Sequence, residues 1–170
     1  MSLTDREFWT VIHGLILGTL FMIAFAGGLA GLWSLRPALV TPAGVAERIR
    51  RMRIGVWTMA AVAWATVFTG TYIVYPWYRE DIPSSPRSQL LASPETASWH
   101  TFGMEWKEHV AWISPLLATA VAFLVTYYGP RLVRHDRMRR LAIVLFTGAF
   151  VAAGVAGLFG AFINKTAPIR

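Results

Sequence analysis

Four long apolar segments constrain this 170-residue chain more than any other feature of its sequence. They run near residues 8–35, 54–75, 110–128 and 141–163. Each is close to or above the roughly 20 residues that an α-helix needs to cross a hydrocarbon core of about 30 Å. The composition, 55% apolar with a mean hydropathy of +0.48, is not that of an ordinary soluble domain. The sequence therefore predicts an all-α integral membrane protein, built as a bundle of four transmembrane helices.

Capping residues mark where the first two helices begin. Thr4 followed by Glu7 is the pattern of a capping box, and Thr41 followed by Pro42 is typical of a second helix start. We expect one membrane domain over residues 1–170. Its predicted parts are helices over about 5–35, 44–76, 103–128 and 137–163 and a loop over 77–102.

Charged residues predict the orientation of the chain in the membrane. The connections after the first and third helices carry ten arginines and two acids, whereas the remaining polar segments carry six basic residues and seven acids. The positive-inside rule then assigns the arginine-rich connections to the cytoplasm. Both termini are predicted to be extracytoplasmic, in what we expect to be a bacterial cytoplasmic membrane. Because topology explains the basic residues, the pI of about 10.6 does not indicate a nucleic-acid partner.

Short sequence matches relate the two halves of the chain. Residues 70–73 resemble 160–163, and residues 51–53 resemble 137–139, at offsets between about 86 and 93 residues. A duplication would produce two parallel two-helix repeats around a pseudo-twofold axis along the membrane normal. Convergent topology signals would produce the same likeness, and the sequence leaves both explanations open.

Two histidines, His13 and His109, lie a few residues inside the predicted extracytoplasmic ends of the first and third helices. An ionisable ring at this depth is costly unless it has a partner. If the halves are repeats the rings face each other, and paired neutral imidazoles are the usual axial ligands of a b-type haem. Glu105 would accept the second ring N–H of His109. Gly14 and Gly18 form a small-xxx-small pair that leaves room for a flat ligand.

Other interpretations of these residues stay open. A histidine near a helix end is often exposed to headgroup water, and a quinol site would use it as a proton acceptor. A non-haem metal site is a further alternative, but carboxylate-bridged bundles repeat a Glu-x-x-His motif that this chain lacks. The residues that such a site would draw on are Glu7, His13, His100, Glu105, Glu108 and His109.

The sequence also lacks the residues and motifs that several kinds of metal site and enzyme require. It contains no cysteine, which excludes thiolate metal sites and haem attached through thioethers. It contains no phosphate-binding loop, nucleophile elbow or zinc-protease motif, so we expect no independent catalysis. The middle of the predicted bilayer lacks any ionisable residue, which disfavours a transporter.

The general layout resembles small four-helix haem-binding membrane subunits of respiratory complexes. We expect an electron-transfer subunit that holds one haem b between the first and third helices, through His13 and His109. It would link the quinone pool to an extracytoplasmic redox protein docked on the loop over 79–101. Other membrane subunits and the lipid bilayer are the remaining expected partners. The alternative is a cofactor-free structural or assembly subunit, whose glycine stripes pack against larger neighbours.

Overall fold

The computed structural model describes residues 3–169, and within them four helices are long and apolar enough to cross a membrane. The helices are α1 (Asp5–Ser34), α2 (Pro42–Tyr78), the short α3 (Pro86–Leu91), α4 (Pro94–Arg134) and α5 (Asp136–Thr166). No strand occurs in this described part of the chain. The prediction of an all-helical chain with four helices long and apolar enough to span a membrane is confirmed, and we call these helices, α1, α2, α4 and α5, the spanning helices.

The first two spanning helices begin at the caps that the sequence predicts. The Thr4 hydroxyl accepts the Glu7 amide at 3.2 Å, and the Glu7 carboxylate accepts the Thr4 amide at 2.9 Å. The Thr41 hydroxyl accepts the Gly44 amide at 3.1 Å, with Pro42 at the first helical position. These side chains satisfy N–H groups for which the helix itself has no acceptor.

The third spanning helix begins earlier than the sequence analysis predicts. Ser93 caps a helix that opens at Pro94 rather than near residue 103. The Ser-Pro-Glu sequence supplies a side-chain cap, a proline at the first helical position and an acid in the first turn. The connection is therefore reduced from the predicted 77–102 to residues 79–93, and it contains α3.

Three spanning helices contain a π-helical turn, in which the backbone widens locally. These turns are Ile12–Ile16 in α1, Gly70–Val74 in α2 and Trp99–Met104 in α4. Such turns are rare in proteins and are frequent at functional sites. All three turns lie in the half of their helix that is nearer to residues 79–93 or to the N-terminus.

The bundle has two ends of different character. We call one the terminal end, because residues near both ends of the described chain, such as Arg6 and Ile169, meet residues 79–93 there. Arg6 of α1 forms a two-pronged ion pair with Glu80, at 2.7 and 3.0 Å. We call the other the arginine end, since it carries the α1–α2 and α4–α5 connections. There the Arg53 guanidinium donates to the Thr126 carbonyl at 3.1 Å.

The four spanning helices pack as a square in which α1 and α4 are diagonal. Helix α1 packs on α2 and α5, and α4 packs on the same two helices. Small residues and large apolar ones alternate in the buried centre. The fully buried large side chains from the four helices include Leu32, Met59, Val121 and Phe146.

Polar side chains within the apolar layer bond to a neighbouring helix. Trp57 and Trp64 of α2 each donate an indole N–H to a threonine of α4, Thr126 and Thr119 respectively, at 3.0 Å. Lipid tails offer no hydrogen-bond partner, so these bonds are satisfied only when α2 and α4 are in contact. They link the two helices at two separate levels.

A test of this packing uses neighbouring glycines of α1. A Cβ at Gly28 would lie 2.7 Å from the ring of Phe146, whereas a Cβ at Gly27 would meet nothing within 4 Å. We expect Gly28→Ala to lower the free energy of unfolding in detergent by about 1–3 kcal/mol, because the buried ring must shift. Gly27→Ala is the matched control and should be neutral or stabilising by up to about 1 kcal/mol. Equal effects of the two substitutions would contradict the α1–α5 packing.

Candidate functional site

The ring of His13 lies against α2 where that helix has no side chain. A Cβ built on Gly70 would be only 2.6 Å from the ring carbon Cε1, so glycine is what permits this approach. The ring nitrogen Nδ1 is 3.1 Å from the hydroxyl oxygen of Thr69. His13 and Gly70 each belong to a π-helical turn, and the two widened turns thus face each other.

The hydrogen bonds of Thr69 assign the proton of this ring. The Thr69 hydroxyl donates to the backbone carbonyl of Ala65 at 2.8 Å, so it serves His13 as an acceptor. In the neutral imidazole Nδ1 then carries the hydrogen and Nε2 keeps its lone pair. Nε2 is therefore the atom of His13 that can accept a hydrogen bond or a proton, or bind a metal.

Lys107 of α4 is a second basic side chain within a spanning helix. Its Nζ rests on Gly160 of α5, where a Cβ would be 2.5 Å away. The side chain is partly buried, and no ion pair or hydrogen bond satisfies the ammonium among the described residues. An ammonium without a partner in an apolar layer can donate to an anionic or carbonyl oxygen.

These residues define what we call the four-helix junction: His13, Gly70, Lys107 and Gly160, one from each spanning helix. His13 lies eight residues after the start of α1, and Gly70 lies eight residues before the end of α2. At 1.5 Å per residue His13 and Gly70 are about 12 Å from the terminal ends of their helices. Lys107 rests on Gly160 between the other two spanning helices, α4 and α5.

Two further polar atoms flank Lys107 in the sequence. Nε1 of Trp106 and Oε1 of Glu108 are buried without a hydrogen-bond partner among the described residues. The Trp106 ring packs edge-on against Phe159, the neighbour of Gly160, with centroids 6.3 Å apart. A buried polar atom left unbonded costs about 1–3 kcal/mol, so a ligand or water that reaches these atoms gains affinity.

His109, the second predicted haem ligand, lies on the outside of the bundle. Its side chain is 70% exposed, and its Nδ1 is 3.0 Å from the backbone carbonyl oxygen of Glu105 and 3.5 Å from the carboxylate. The predicted contact between Glu105 and His109 is thus present, but at an exposed ring. The structure does not bring His13 and His109 together, because one ring faces α2 and the other faces outward. Haem ligation by this pair stays a prediction, and this arrangement does not favour it.

The remaining predicted site residues also lie away from the junction. A Cβ at Gly14 or Gly18 would meet nothing within 4 Å, so both glycines face out of the bundle. His100 is engaged by the Tyr78 hydroxyl, with 2.8 Å between Nδ1 and the oxygen. Within residues 3–169 no group of three or more histidine and acidic side chains is arranged to hold a metal ion.

Lys107, Thr69, Gly70 and Gly160 were not singled out by the sequence analysis. The internal sequence matches contained the necessary signal, because Gly70 and Gly160 occupy corresponding positions 90 residues apart. Lys107 follows His13 by 94 residues, which is closer to that offset than the 96 of His109. In both halves a basic side chain rests on a glycine of the following spanning helix.

Comparison with protein-family models, with curated proteins and with solved structures finds no match to this chain. The chemistry of the four-helix junction is therefore the main guide to function.

The contact between His13 and α2 is open to a double-mutant test. We expect Gly70→Ala to lower the free energy of unfolding by about 1–3 kcal/mol, because the new methyl group displaces the ring. Gly55→Ala in the same helix is the control, since a Cβ there meets nothing within 4 Å. In a His13→Ala background the cost of Gly70→Ala should fall by at least about 1 kcal/mol. Additive effects in this cycle would mean that the ring does not rest on Gly70.

Proposed function

We propose that this protein is a membrane-embedded subunit of a respiratory-type electron-transfer complex, and that its four-helix junction binds the head group of a quinone. One observation carries the proposal. Within an otherwise apolar bundle, an imidazole whose Nε2 can accept a hydrogen bond rests on Gly70, and an ammonium without an ion-pair partner among the described residues rests on Gly160. A lipid-soluble ligand would satisfy both side chains if it offered an oxygen acceptor to the ammonium and a hydroxyl donor to the imidazole.

The two side chains suit the two redox forms of such a ligand. Lys107 would donate a hydrogen bond to a quinone carbonyl oxygen, and its charge would stabilise the negative charge that this oxygen gains on reduction. Nε2 of His13 would accept a hydrogen bond from a quinol hydroxyl. Quinol oxidation releases two electrons and two protons. In this scheme Nε2 takes one proton, water at the terminal end takes the other, and the redox protein receives both electrons.

Sidedness is a further part of the proposal. The arginine end carries the ten basic residues that the positive-inside rule assigns to the cytoplasm, which would make the terminal end extracytoplasmic. A redox protein would then dock on residues 79–93, which the Arg6–Glu80 ion pair holds against α1. The similar use of Gly70 and Gly160 in the two halves supports descent from a two-helix repeat, with His13 and Lys107 as the corresponding basic residues.

Quinone binding is tested with variants of the two polar residues. We expect Lys107→Met to weaken binding of a short-chain ubiquinone or menaquinone analogue roughly 10- to 100-fold, because a hydrogen bond from a charged group contributes about 1.5–3 kcal/mol. His13→Ala should weaken binding of the reduced, quinol form of the same analogue about 2- to 10-fold, because the neutral ring accepts a hydrogen bond that contributes about 0.5–1.5 kcal/mol. His109→Ala and Lys165→Met remove the same residue types elsewhere and should leave binding unchanged. Unaltered affinity in the His13 and Lys107 variants would contradict the proposal.

A b-type haem held by His13 and His109 is the other cofactor proposed for the same electron-transfer function. It would require His109 to turn from its exposed position into the bundle. A reduced-minus-oxidised absorption spectrum of the purified protein decides between the two. A sharp α-band that is lost in both His13→Ala and His109→Ala would support the haem. His109 would then be a haem ligand, and His109→Ala could not serve as the control for quinone binding.

A cofactor-free assembly subunit is the second candidate function, and the exposure of α1 favours it. In the most apolar 18-residue stretch of α1 only 17% of the residues are buried within the chain, whereas in that of α4 33% are buried. Gly14, Gly18 and Gly27 meet no other atom within 4 Å of a Cβ position. Small residues on an open membrane helix allow close packing of a further helix.

Bulky substitutions on this face separate the assembly role from ligand binding. We expect Gly14→Leu with Gly18→Leu to leave the isolated chain stable, since nothing in the chain opposes the added side chains. In mildly solubilised membranes the variant should run at the size of the single chain on a native gel, whereas wild type and His13→Ala run in a larger complex. Wild-type migration of the double variant would argue against packing through this face.

A further inference from the structure

We propose that the arginine end carries a binding site for the phosphate group of an anionic phospholipid. A cleft of about 700 Å³ lies between the end of α1 and the start of α5. Its charged lining consists of Arg36, Arg134, Asp136, Arg139 and Arg140. Basic pockets between transmembrane helices at a cytoplasmic interface are typical binding sites for anionic lipid head groups.

The positive charge of the cleft is only partly neutralised from within. The single acid, Asp136, pairs with both Arg139 and Arg140, and the second of these contacts is 2.6 Å long. Arg139 is only 5% exposed, so its guanidinium is held rigidly in the wall of the cleft. Arg134 makes no ion pair in the described part of the chain. One carboxylate among four guanidiniums leaves an excess of three positive charges.

A tryptophan marks the depth of this cleft in the membrane. The guanidinium of Arg36 stacks 4.6 Å from the ring centroid of Trp33 and donates to its backbone carbonyl at 3.1 Å. The Trp33 side chain is exposed and lines the same cleft. Exposed tryptophans at the ends of spanning helices lie at the level of lipid head groups. The arginines above it are therefore at the level of lipid phosphates.

The lower part of the cleft is apolar, which distinguishes a lipid from a free anion. Ile143 and Val144 line it, seven and eight residues beyond Asp136 in α5. At 1.5 Å per residue they lie about 10–12 Å along α5 from Asp136 and about 5 Å beyond Arg140. Val144 is 66% exposed, so it offers apolar surface to an acyl chain. Guanidiniums above and aliphatic side chains below match a phosphate with acyl chains attached, whereas inorganic phosphate would use the rim alone.

A matched pair of arginines separates a defined site from general attraction to a charged surface. Arg134 lines the cleft, whereas Arg137 is an exposed arginine of the same segment that does not line it.

The experiment measures binding of phosphatidylglycerol to the purified full-length protein in neutral detergent by native mass spectrometry, with phosphatidylcholine as the zwitterionic reference. We expect phosphatidylglycerol to bind more tightly, and Arg134→Ala to weaken its binding about fivefold. Arg36→Ala with Arg134→Ala should weaken it more than tenfold, and Arg137→Ala should not change it.

Three results would overturn the proposal. Equal losses in Arg134→Ala and Arg137→Ala would mean that the lipid responds only to overall charge. Equal affinity for phosphatidylglycerol and phosphatidylcholine would exclude selection of an anionic head group. Displacement of the lipid by inorganic phosphate at an equal concentration would identify the ligand as a free anion. Val144→Ser, which weakens only the apolar wall, should lower lipid affinity without affecting phosphate binding.

Discussion

The architecture depends on the need to pair every polar group inside an apolar layer. Helices satisfy the backbone, and the indole N–H groups of Trp57 and Trp64 reach threonines of α4. His13 follows the same rule by donating to Thr69 of α2. Lys107 does not, because its ammonium has no partner in the described chain. This exception to the constraint is the reason for proposing a ligand at the four-helix junction.

Glycines determine which helices can approach each other and where. Gly28 admits the ring of Phe146 between α1 and α5, while Gly70 and Gly160 admit the side chains of His13 and Lys107. Gly14 and Gly18 are four residues apart, which is the spacing of glycines that let membrane helices pack closely, but a Cβ at either would meet no atom of this chain within 4 Å. Glycines thus allow close contact in the buried core and at the four-helix junction. On the open face of α1 they leave space into which a further helix can pack.

Much of the fold could be predicted because the relevant signals are local. The Thr4 and Thr41 caps, and the lengths of the apolar segments, depend on residues that are close in sequence. The start of α4 was placed too late because the polar composition of 77–102 outweighed the Ser93–Pro94 cap. The site was harder to predict, since His109 is two residues from Lys107 and thus rotated by about 200° from it around the helix. Only the rotation of α4 in the bundle decides which of them lies against α5.

The sequence by itself determined the class of protein, the number of spanning helices and the charge difference between the two ends. These properties follow from hydropathy and charge, which the membrane senses one segment at a time. The tertiary structure alone decided that His13 and Lys107 rest on glycines of neighbouring helices, that His109 faces outward, and that arginines from separate connections line one cleft. The physical reason is that helix rotation and pairing are set by packing between segments distant in sequence. Hydropathy does not encode that packing.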